Sequence, residues 1–319
     1  MASLTQLEYV VAVDQCRHFG RAAAMSNVSQ PTLSAQLQKL EDEIGVVLFD
    51  RSKQPVLPTE QGQPLIEQAR VILSEVGRFH KLAGNADEMA GEFRLAVIPT
   101  IAPYLMPTFL KEFALRFPSV QLFVEELPTE KVIEALDRDR IDAGIVATPL
   151  GLTRVEERPL YYEPFRVYAG SDHPLAQIEK VSPGMLDPGQ LWLLSEEHCL
   201  RQQVIVVCGS GTQRGNLPSV HLKGGSLETV VELVASGQGY TLLPQLAAES
   251  FAARQFPGKV IPMTRPEPAR EVSLVFRRGY LKQRLLEHVR ETIESGLPDG
   301  LPRKPSRQYQ VLGLMGQFK

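Results

Sequence analysis

The sequence is short of cysteine, of net charge and of long apolar runs. Three cysteines among 319 residues are too few for a disulfide framework and fit a reducing, cytoplasmic compartment. A net charge of −3 gives no overall attraction to nucleic acid or to membranes. No apolar run approaches the roughly 20 residues of a membrane helix, and residues 1–8 lack the basic and apolar regions of a signal peptide. No membrane association is therefore expected.

The chain is long enough for two or three domains, because a domain commonly takes about 100–200 residues. Residues 5–90 follow a helical pattern, whereas strands and helices alternate after Gly91, where most of the 24 glycines and 24 prolines lie. We predict a winged helix-turn-helix domain (1–59), a linker helix for dimerisation (60–90) and an α/β effector domain (91–296). In the effector domain, lobe 1 takes 91–162 and 267–296, and lobe 2 takes 163–266. The tail 297–319 matches no pattern, and disorder is the expectation there.

A helix-turn-helix is predicted near the N-terminus. A short helix of small residues (19–25) and a turn precede Ser29, a good N-cap, and Pro31, which the first turn of a helix tolerates. Apolar residues then recur at helical spacing: Leu33, Leu37, Leu40 and Ile44. The open face of this helix carries small and amide side chains, which is typical of a recognition helix. Residues 1–59 hold five Lys and Arg against six Asp and Glu, so the prediction rests on placement. A plain helical bundle with a hairpin is the alternative.

Residues that could contact DNA lie on this helix and on the hairpin after it. Gln and Ser can recognise base edges, and a helix N-terminus can meet phosphate. The recognition-helix candidates are Ser29, Gln30, Pro31, Thr32, Ser34 and Gln38. Residues 46–59 predict a two-stranded wing, with Arg51 and Lys53 at its tip to contact phosphate. The helix after Thr59 repeats apolar residues at a spacing of three to four, which favours antiparallel pairing with a second copy.

The segment 195–209 carries two of the three cysteines. Eight residues separate Cys199 from Cys208, which is wrong for a zinc or thioredoxin-type motif. Cys199 lies where a strand could pass into a helix; His198 and Arg201 favour its thiolate, while two glutamates before it oppose this. Cys208 ends an apolar run and is predicted to be a buried, inert thiol. The pair could be an attacking and a resolving thiol. Two ordinary core cysteines are the alternative, and spacing alone favours it.

The alternation after residue 91 predicts an α/β fold with a mainly parallel, doubly wound sheet. Ligands bind such sheets beyond the carboxyl ends of the strands. Thr100 and Thr129 both follow predicted strands and are candidates for such a site. Each could equally be a helix cap.

Three motifs give the chain a family resemblance: residues 29–45 (SQPTLSAQLQKLEDEIG), Leu48-Phe-Asp-Arg51 and Thr59-Glu-Gln-Gly62. Residues 3–296 resemble the LysR-type transcriptional regulators. The resemblance implies a two-lobed effector domain like the periplasmic binding proteins. It also implies an inverted-repeat site on double-stranded DNA as a partner, assembly as a dimer of dimers, and contact with RNA polymerase.

Within that family, the chain resembles the members that sense hydrogen peroxide. The residues that carry this are 98–105, 198–201 with Cys208, 226–229, 240–244 and 266–270. The resemblance implies that Cys199 reacts with peroxide and that Cys208 is its disulfide partner. It also implies a peroxide pocket of Thr100, Thr129, His198, His221 and Arg270. No metal and no cofactor are implied, and the chain is not expected to be an enzyme. The departures are Gln202 in place of an acidic residue, a longer loop at 209–225 and the unmatched tail.

Two other functions remain open. A LysR-type regulator could respond to a small metabolite bound between the lobes, with the cysteines incidental. A thiol peroxidase is the alternative outside the family, but the sequence has no Pro-x-x-x-Thr-x-x-Cys element, and a helix-turn-helix would then be unexplained. Cys16, with no cysteine near it in sequence, is predicted to be structural.

The spacing of Cys199 and Cys208 also predicts a conformational change. A disulfide needs Cα atoms within about 4.4–6.8 Å. Nine residue steps span roughly 13 Å in a helix and nearly 30 Å in a strand. Neither regular conformation allows the bond, so the segment must be rebuilt. Residues 204–207 favour strand over helix, and a helix here is expected to be weak.

Overall fold

A computed structural model describes residues 2–83, 90–209, 225–237, 239–280 and 282–313, leaving aside the side chains of residues 74, 78 and 80–83. The chain forms two compact units, an N-terminal helical unit and an α/β unit. Each is described by itself. No helix in the described ranges is long and apolar enough to cross a membrane.

The N-terminal unit contains the predicted helix-turn-helix and wing. Its elements are α1 (Leu4–Cys16), α2 (Phe19–Met25), α3 (Gln30–Ile44), β1 (Phe49–Asp50), β2 (Leu57–Pro58) and α4 (Gly62–Ala83). Ser29 caps α3 by accepting a hydrogen bond from the backbone N–H of Thr32, and Gly45 ends it with a φ of 69°. β1 and β2 pair antiparallel, which forms the wing. Three of the four stripe residues are buried (Leu33, Leu37 and Leu40), whereas Ile44, at the helix end, is exposed.

Helix α4 corresponds to the predicted linker helix. Ile66 and Ala69 are buried in the core that this unit shares with α1–α3, and Arg70 forms an ion pair with Asp14 of α1. On another face of α4, Val71, Ile72 and Phe79 are exposed. The part of the predicted helix beyond Ala83, residues 84–89, lies outside the described residues.

The α/β unit alternates strands and helices, as the sequence predicts. Its strands are β3 (Gly91–Val97), β4 (Val120–Glu126), β5 (Ala143–Thr148), β6 (Val155–Ala169), β7 (Tyr240–Pro244), β8 (Lys259–Pro262), β9 (Glu267–Arg277) and β10 (Tyr309–Val311). Its helices are α5 (Ala102–Arg116), α6 (Thr129–Asp137), α7 (Cys199–Cys208), α8 (Leu227–Ala235), α9 (Gln245–Ala253) and α10 (Gln283–Gly296).

The sheet is more mixed than the predicted, mainly parallel arrangement. Its strands run in the order β4-β3-β5-β9-β6-β7, and β3 is parallel to both β4 and β5. Strand β9 is antiparallel to β5 and to β6, and β6 is antiparallel to β7 and β8. The physical reason is that β6 and β9 are long strands that run side by side through both lobes. Their two segments join the lobes into one core.

The prediction of a disordered tail is wrong over residues 297–313. Leu297, Leu301 and Leu312 are buried in the core of the α/β unit. Strand β10 pairs parallel with β9 from Glu267 to Ala269. No periodicity is visible in this part of the sequence, because single buried leucines are separated by turns. Residues 314–319 lie outside the described part of the chain.

Candidate functional site

Both cysteines of the segment 195–209 lie on one helix, α7, with Cys199 first and Cys208 last. Leu200, Val204 and Val207 are buried at helical spacing, and this packing overrides the strand preference of the valines. Nine residue steps at about 1.5 Å place the two Cα atoms roughly 13 Å apart, far beyond disulfide range. Both thiols are free. As predicted for a regular conformation, the helix keeps the two thiols too far apart to form a disulfide.

Cys199 meets two polar groups from lobe 1 and from the strands that join the lobes. The hydroxyl of Thr129, the first residue of α6, lies 3.5 Å from Sγ and donates a hydrogen bond to it. The charge of Arg270, on β9, also acts on the thiol. Cys199 itself is only 7% exposed. Two residues that the family resemblance assigned to the pocket, Thr129 and Arg270, thus act on the predicted reactive thiol.

The protonation state of Cys199 follows from two opposing effects. Burial raises the pKa of the thiol, while Thr129, Arg270 and the backbone N–H groups at the start of α7 lower it. Burial is the larger effect, so the net shift is upward. The resting thiol is therefore mostly protonated near neutral pH.

The cations nearest in sequence are not the ones that act on Cys199. Burial lowers the pKa of His198, so the imidazole is neutral near pH 7. Arg201 donates through Nη1 to the carbonyl of Leu194, 2.9 Å away. Arg270, 71 positions after Cys199, supplies the charge instead. The cation that lowers the pKa of Cys199 is therefore distant in the sequence, where its neighbours do not indicate it.

Arg270 is fixed in position by a buried network. Its Nη1 donates to Oγ1 of Thr100 and its Nη2 to the carbonyl of the same residue, both at 3.1 Å. On its other side, Nη2 lies 2.7 Å from Oε2 of Glu163, on β6. Arg270 is 1% exposed and Glu163 is fully buried. Glu163 was not among the predicted site residues, although a charged residue inside the apolar strand 160–169 was an available signal.

Cys208 lies in a different environment. It is buried at the end of α7, and burial raises its pKa to about 11 although a hydrogen bond with Tyr240 lowers it. The Tyr240 hydroxyl also donates to the carbonyl of Asp187 at 3.0 Å. Cys208 is therefore a protonated thiol near neutral pH. This agrees with the prediction of an inert, buried group.

Of the two histidines in the predicted pocket, the structure describes only His198. His198 is the N-cap residue of α7 and is half-buried, with a backbone hydrogen bond to Gly225 that raises its pKa against the effect of burial. His221 lies outside the described residues, as do residues 210–224 of the loop that the sequence suggested was long. Their place in a pocket stays a prediction.

Most of the candidate DNA-contacting residues are exposed on α3. Gln30, Pro31, Thr32 and Gln38 are exposed on α3, Ser34 is half-buried, and Ser29 is the exposed N-cap residue. Gln38 donates to Asp42 one turn later, at 2.9 Å. A polar, accessible helix face of this kind can enter a major groove.

Arg51 differs from the free phosphate-binding cation that the sequence predicts. Its Nη2 lies 2.7 Å from Oε2 of Glu41, a buried carboxylate, and its Nη1 donates to Ser34 at 3.3 Å. The other oxygen of Glu41 accepts from the backbone N–H of Leu48 at 2.7 Å. Arg51 thus joins α3 to the wing. The side chain of Lys53, in the wing turn, is 59% exposed, and its Nζ lies 3.6 Å from Oδ2 of Asp50.

Comparison with known proteins gives the same assignment for both units. Residues 4–63 match the model "Bacterial regulatory helix-turn-helix protein, lysR family", and residues 86–298 match "LysR substrate binding domain". A relative from Haemophilus influenzae, named "Hydrogen peroxide-inducible genes activator", is 36% identical over 303 residues, covering 94% of this chain and 99% of its own.

Two solved structures are similar over nearly the whole chain. Full-length OxyR from Pseudomonas aeruginosa, with a cysteine-to-aspartate substitution, has a TM-score of 0.74 and 34% identity and covers 92% of this chain and 98% of its own. A cysteine mutant of Corynebacterium glutamicum OxyR, bound to H2O2, has a TM-score of 0.60 and 28% identity and covers 93% and 92%. The chain therefore belongs to the LysR family of helix-turn-helix transcription regulators.

Proposed function

We propose that this regulator senses hydrogen peroxide by forming a disulfide between Cys199 and Cys208, and is not an enzyme. One observation carries the proposal: a buried thiol receives a hydrogen bond from Thr129 and the charge of Arg270, while a second thiol ends the same helix. A thiol used only for packing needs neither a donor nor a cation. The relative and the OxyR structures named above support the assignment to peroxide.

The chemistry uses two thiols and one peroxide. The Cys199 thiolate attacks one oxygen of H2O2, the O–O bond breaks, and the leaving hydroxide takes a proton to become water. The sulfenic acid at Cys199 is then attacked by the sulfur of Cys208, with loss of its proton. The S–O bond breaks, a second water leaves and the S–S bond forms. Peroxide is reduced by two electrons and the dithiol is oxidised by two.

The second step cannot occur within α7 as it stands. The Cα atoms must approach from roughly 13 Å to within about 6.8 Å. The helix must therefore unwind, and the apolar side chains Leu200, Val204 and Val207 must leave their buried positions. We propose that this displaced surface changes how the α/β units of neighbouring chains pair in the oligomer.

The conformational change would alter the way in which the regulator binds DNA. We propose that the chain assembles as a dimer of dimers in the cytoplasm, with α4 pairing against α4 of a second copy through its exposed apolar face. Two helix-turn-helix units would then bind an inverted repeat. Altered pairing of the α/β units would change the spacing of these units, and through it the contact with RNA polymerase.

Mass spectrometry after substoichiometric H2O2 tests the proposal on the full chain. We expect a Cys199–Cys208 disulfide, and in Cys208→Ser a sulfenic acid trapped at Cys199. No change at Cys199 would leave a metabolite-responsive regulator with incidental cysteines. Rapid, repeated turnover of peroxide with a reductant would indicate a thiol peroxidase.

Hydrogen exchange tests the conformational step separately. Amides of residues 199–208 should lose protection in the oxidised protein, while Cys199→Ser treated in the same way should show no change. Unchanged protection in a fully oxidised sample would exclude the unwinding of α7, even with the disulfide present.

A further inference from the structure

The buried pair of Glu163 and Arg270 has a geometry that packing alone does not require. The two residues face each other in register on β6 and β9. Both Nε and Nη2 of Arg270 contact Oε2 of Glu163, at 2.9 and 2.7 Å. Taking two such charges out of water is costly, and replacing a buried pair by apolar residues is often neutral or stabilising. Stability is thus a weak reason for the pair.

The second oxygen of Glu163 fixes the carboxylate in place. Oε1 accepts a hydrogen bond of 2.8 Å from the backbone N–H of Leu246, at the start of α9. Since the other side of Arg270 is held by Thr100, the guanidinium is clamped between lobe 2 and lobe 1. A guanidinium clamped in this way has a single orientation toward the thiol on which its charge acts.

We propose that Glu163 is a positioning residue for the reaction of Cys199: it orients the guanidinium of Arg270 and compensates part of its charge. This rests on the proposed function, because it assumes that Cys199 reacts with peroxide. The charged and titratable groups that face Arg270 are Glu163, Cys199, Tyr104 and Tyr161. Of these, only Glu163 forms an ion pair with Arg270 in the described residues.

Glu163→Gln separates the two roles, because the amide keeps the shape and removes the charge. The uncompensated arginine should favour the Cys199 thiolate, so alkylation of Cys199 by iodoacetamide should titrate at lower pH. The less well-held guanidinium should slow the reaction of Cys199 with H2O2 by about tenfold or more, the scale of one charge-assisted hydrogen bond. Opposite changes in the two reactions are the signature, since a merely loosened site would not produce them.

Glu267→Gln is the matched control. Glu267 pairs with Arg166 between the same two strands, β9 and β6, but no interaction of this pair with Cys199 is found in the described residues. We expect both reactions of Cys199 to stay near wild type. Glu163→Asp keeps the charge and shortens the side chain. It should slow the peroxide reaction, while alkylation of Cys199 should not titrate at a lower pH than in the wild type.

The reaction with H2O2 in Glu163→Asp decides the matter if Glu163→Gln does not fold. A wild-type rate in either folded variant would overturn the proposal, as would an equal change in Glu267→Gln. If wild-type Cys199 itself does not react with H2O2, it is the proposed function that fails. The alkylation profiles of the variants still report whether Glu163 controls the thiolate.

A second, independent observation concerns the tail. Residues 297–313 cross both strands that join the lobes: the backbone N–H of Tyr162 on β6 donates to the carbonyl of Pro302 at 2.7 Å, and β10 pairs with β9. The segment then reaches α7. Nε2 of Gln203 donates to the carbonyl of Leu312 at 3.4 Å, and Leu312 is buried.

Gln203 lies in the middle of the helix that must unwind. Its side chain is fully buried, and its Oε1 has no hydrogen-bond partner among the described residues. The hydrogen bond from Nε2 to the Leu312 carbonyl exists only while Gln203 keeps this position, so it favours the helical form of α7. We infer that the segment 297–313 is a strap that holds α7 in its reduced conformation, and that disulfide formation releases Gln203 from Leu312.

Truncation after Lys304 tests the strap, with truncation after Gly313 as the control that keeps every described contact. At a fixed ratio of reduced to oxidised glutathione, the shorter chain should hold a disulfide-to-dithiol ratio higher by about fivefold, the scale of one net hydrogen bond. Both redox forms lose the pairing of β10 with β9, but the melting temperature of the reduced form should fall further, because only that form has the contact between Gln203 and Leu312.

Equal losses of melting temperature in both redox states, with an unchanged glutathione equilibrium, would overturn the strap. Hydrogen exchange of residues 199–208 in the reduced protein gives a result that does not depend on peroxide chemistry. Faster exchange in the shorter chain supports the strap even if no disulfide forms, in which case only the proposed function fails.

Discussion

The hydroxyl of Thr129 donates a hydrogen bond of 3.5 Å to Sγ of Cys199, and so joins the first residue of α6 to the first residue of α7. The contact spans 70 residues of sequence. Burial raises the pKa of the Cys199 thiol, and this hydrogen bond lowers it. The contact therefore favours the reactive thiolate.

Thr129→Val should therefore slow the reaction of Cys199 with H2O2. A hydrogen bond to a charged group contributes about 1.5–3 kcal/mol, so the rate constant at neutral pH should fall by about tenfold or more. Stopped-flow measurement with Thr153→Val, an exposed threonine on the same unit, provides the comparison. Equal rates for the two variants would mean that the hydroxyl has no electronic role.

The rate of the peroxide reaction should depend strongly on pH. Burial raises the pKa of Cys199 above its ordinary value, so the thiolate fraction is small at neutral pH and grows as the pH rises. The rate constant should increase about tenfold per unit between about pH 6 and 8. A plateau below pH 7 would contradict this, since it would require a thiolate already formed.

Gln30→Ala and Lys53→Ala should have different effects on DNA binding. Gln30, exposed at the start of α3, is predicted to read a base edge, so its loss should cost about 1–3 kcal/mol of discrimination at one or two base pairs. Ser34→Ala should act in the same way if its hydroxyl reaches a base. Lys53→Ala should weaken binding to all sequences and reduce the salt slope by about one. Fluorescence anisotropy with matched and mismatched sites at several salt concentrations measures both. Uniform weakening by Gln30→Ala would remove it from the base contacts.

Arg51→Ala should act on stability as well as on DNA. It leaves the buried carboxylate of Glu41 without its cation, at a cost of about 1 kcal/mol, because the Arg51 side chain is 36% exposed and solvent screens the pair. Thermal unfolding of the full chain should show the loss in the N-terminal unit, and the salt slope of DNA binding should report any phosphate contact. Wild-type stability would show that the ion pair contributes nothing to the joint between α3 and the wing.

Cys16→Ser should leave the peroxide response intact. Cys16 ends α1, and its Sγ lies 4.0 Å from the sulfur of Met25, within the N-terminal unit. Disulfide formation between Cys199 and Cys208, followed by mass spectrometry, should proceed at the wild-type rate. Loss of the response in a folded, DNA-binding variant would assign Cys16 a redox role.

Local signals in the sequence were enough for the helix-turn-helix, the order of strands and helices, and the start of α7. The stripe at Leu33, Leu37 and Leu40 follows from helical periodicity, and Ser29 caps α3 through an atom three residues away. Such features depend on neighbours along the chain, so the sequence displays them. The strand ends indicated Thr100 and Thr129, and the family resemblance supplied Arg270, which no periodicity indicates.

Only the tertiary structure decided the chemistry around Cys199. Burial outweighs the favourable contacts of the thiol, and burial depends on the whole core. Glu163 forms its ion pair with Arg270, which lies 107 residues later in the sequence. The tail is ordered because β10 pairs with β9, more than 40 residues earlier, and because Leu312 is buried. Residues 204–207, which locally favour a strand, form a helix because Val204 and Val207 are buried on one face. The free energy gained by long-range packing exceeds the cost of opposing the local preference for a strand. A short window of the sequence does not contain the residues that supply this packing.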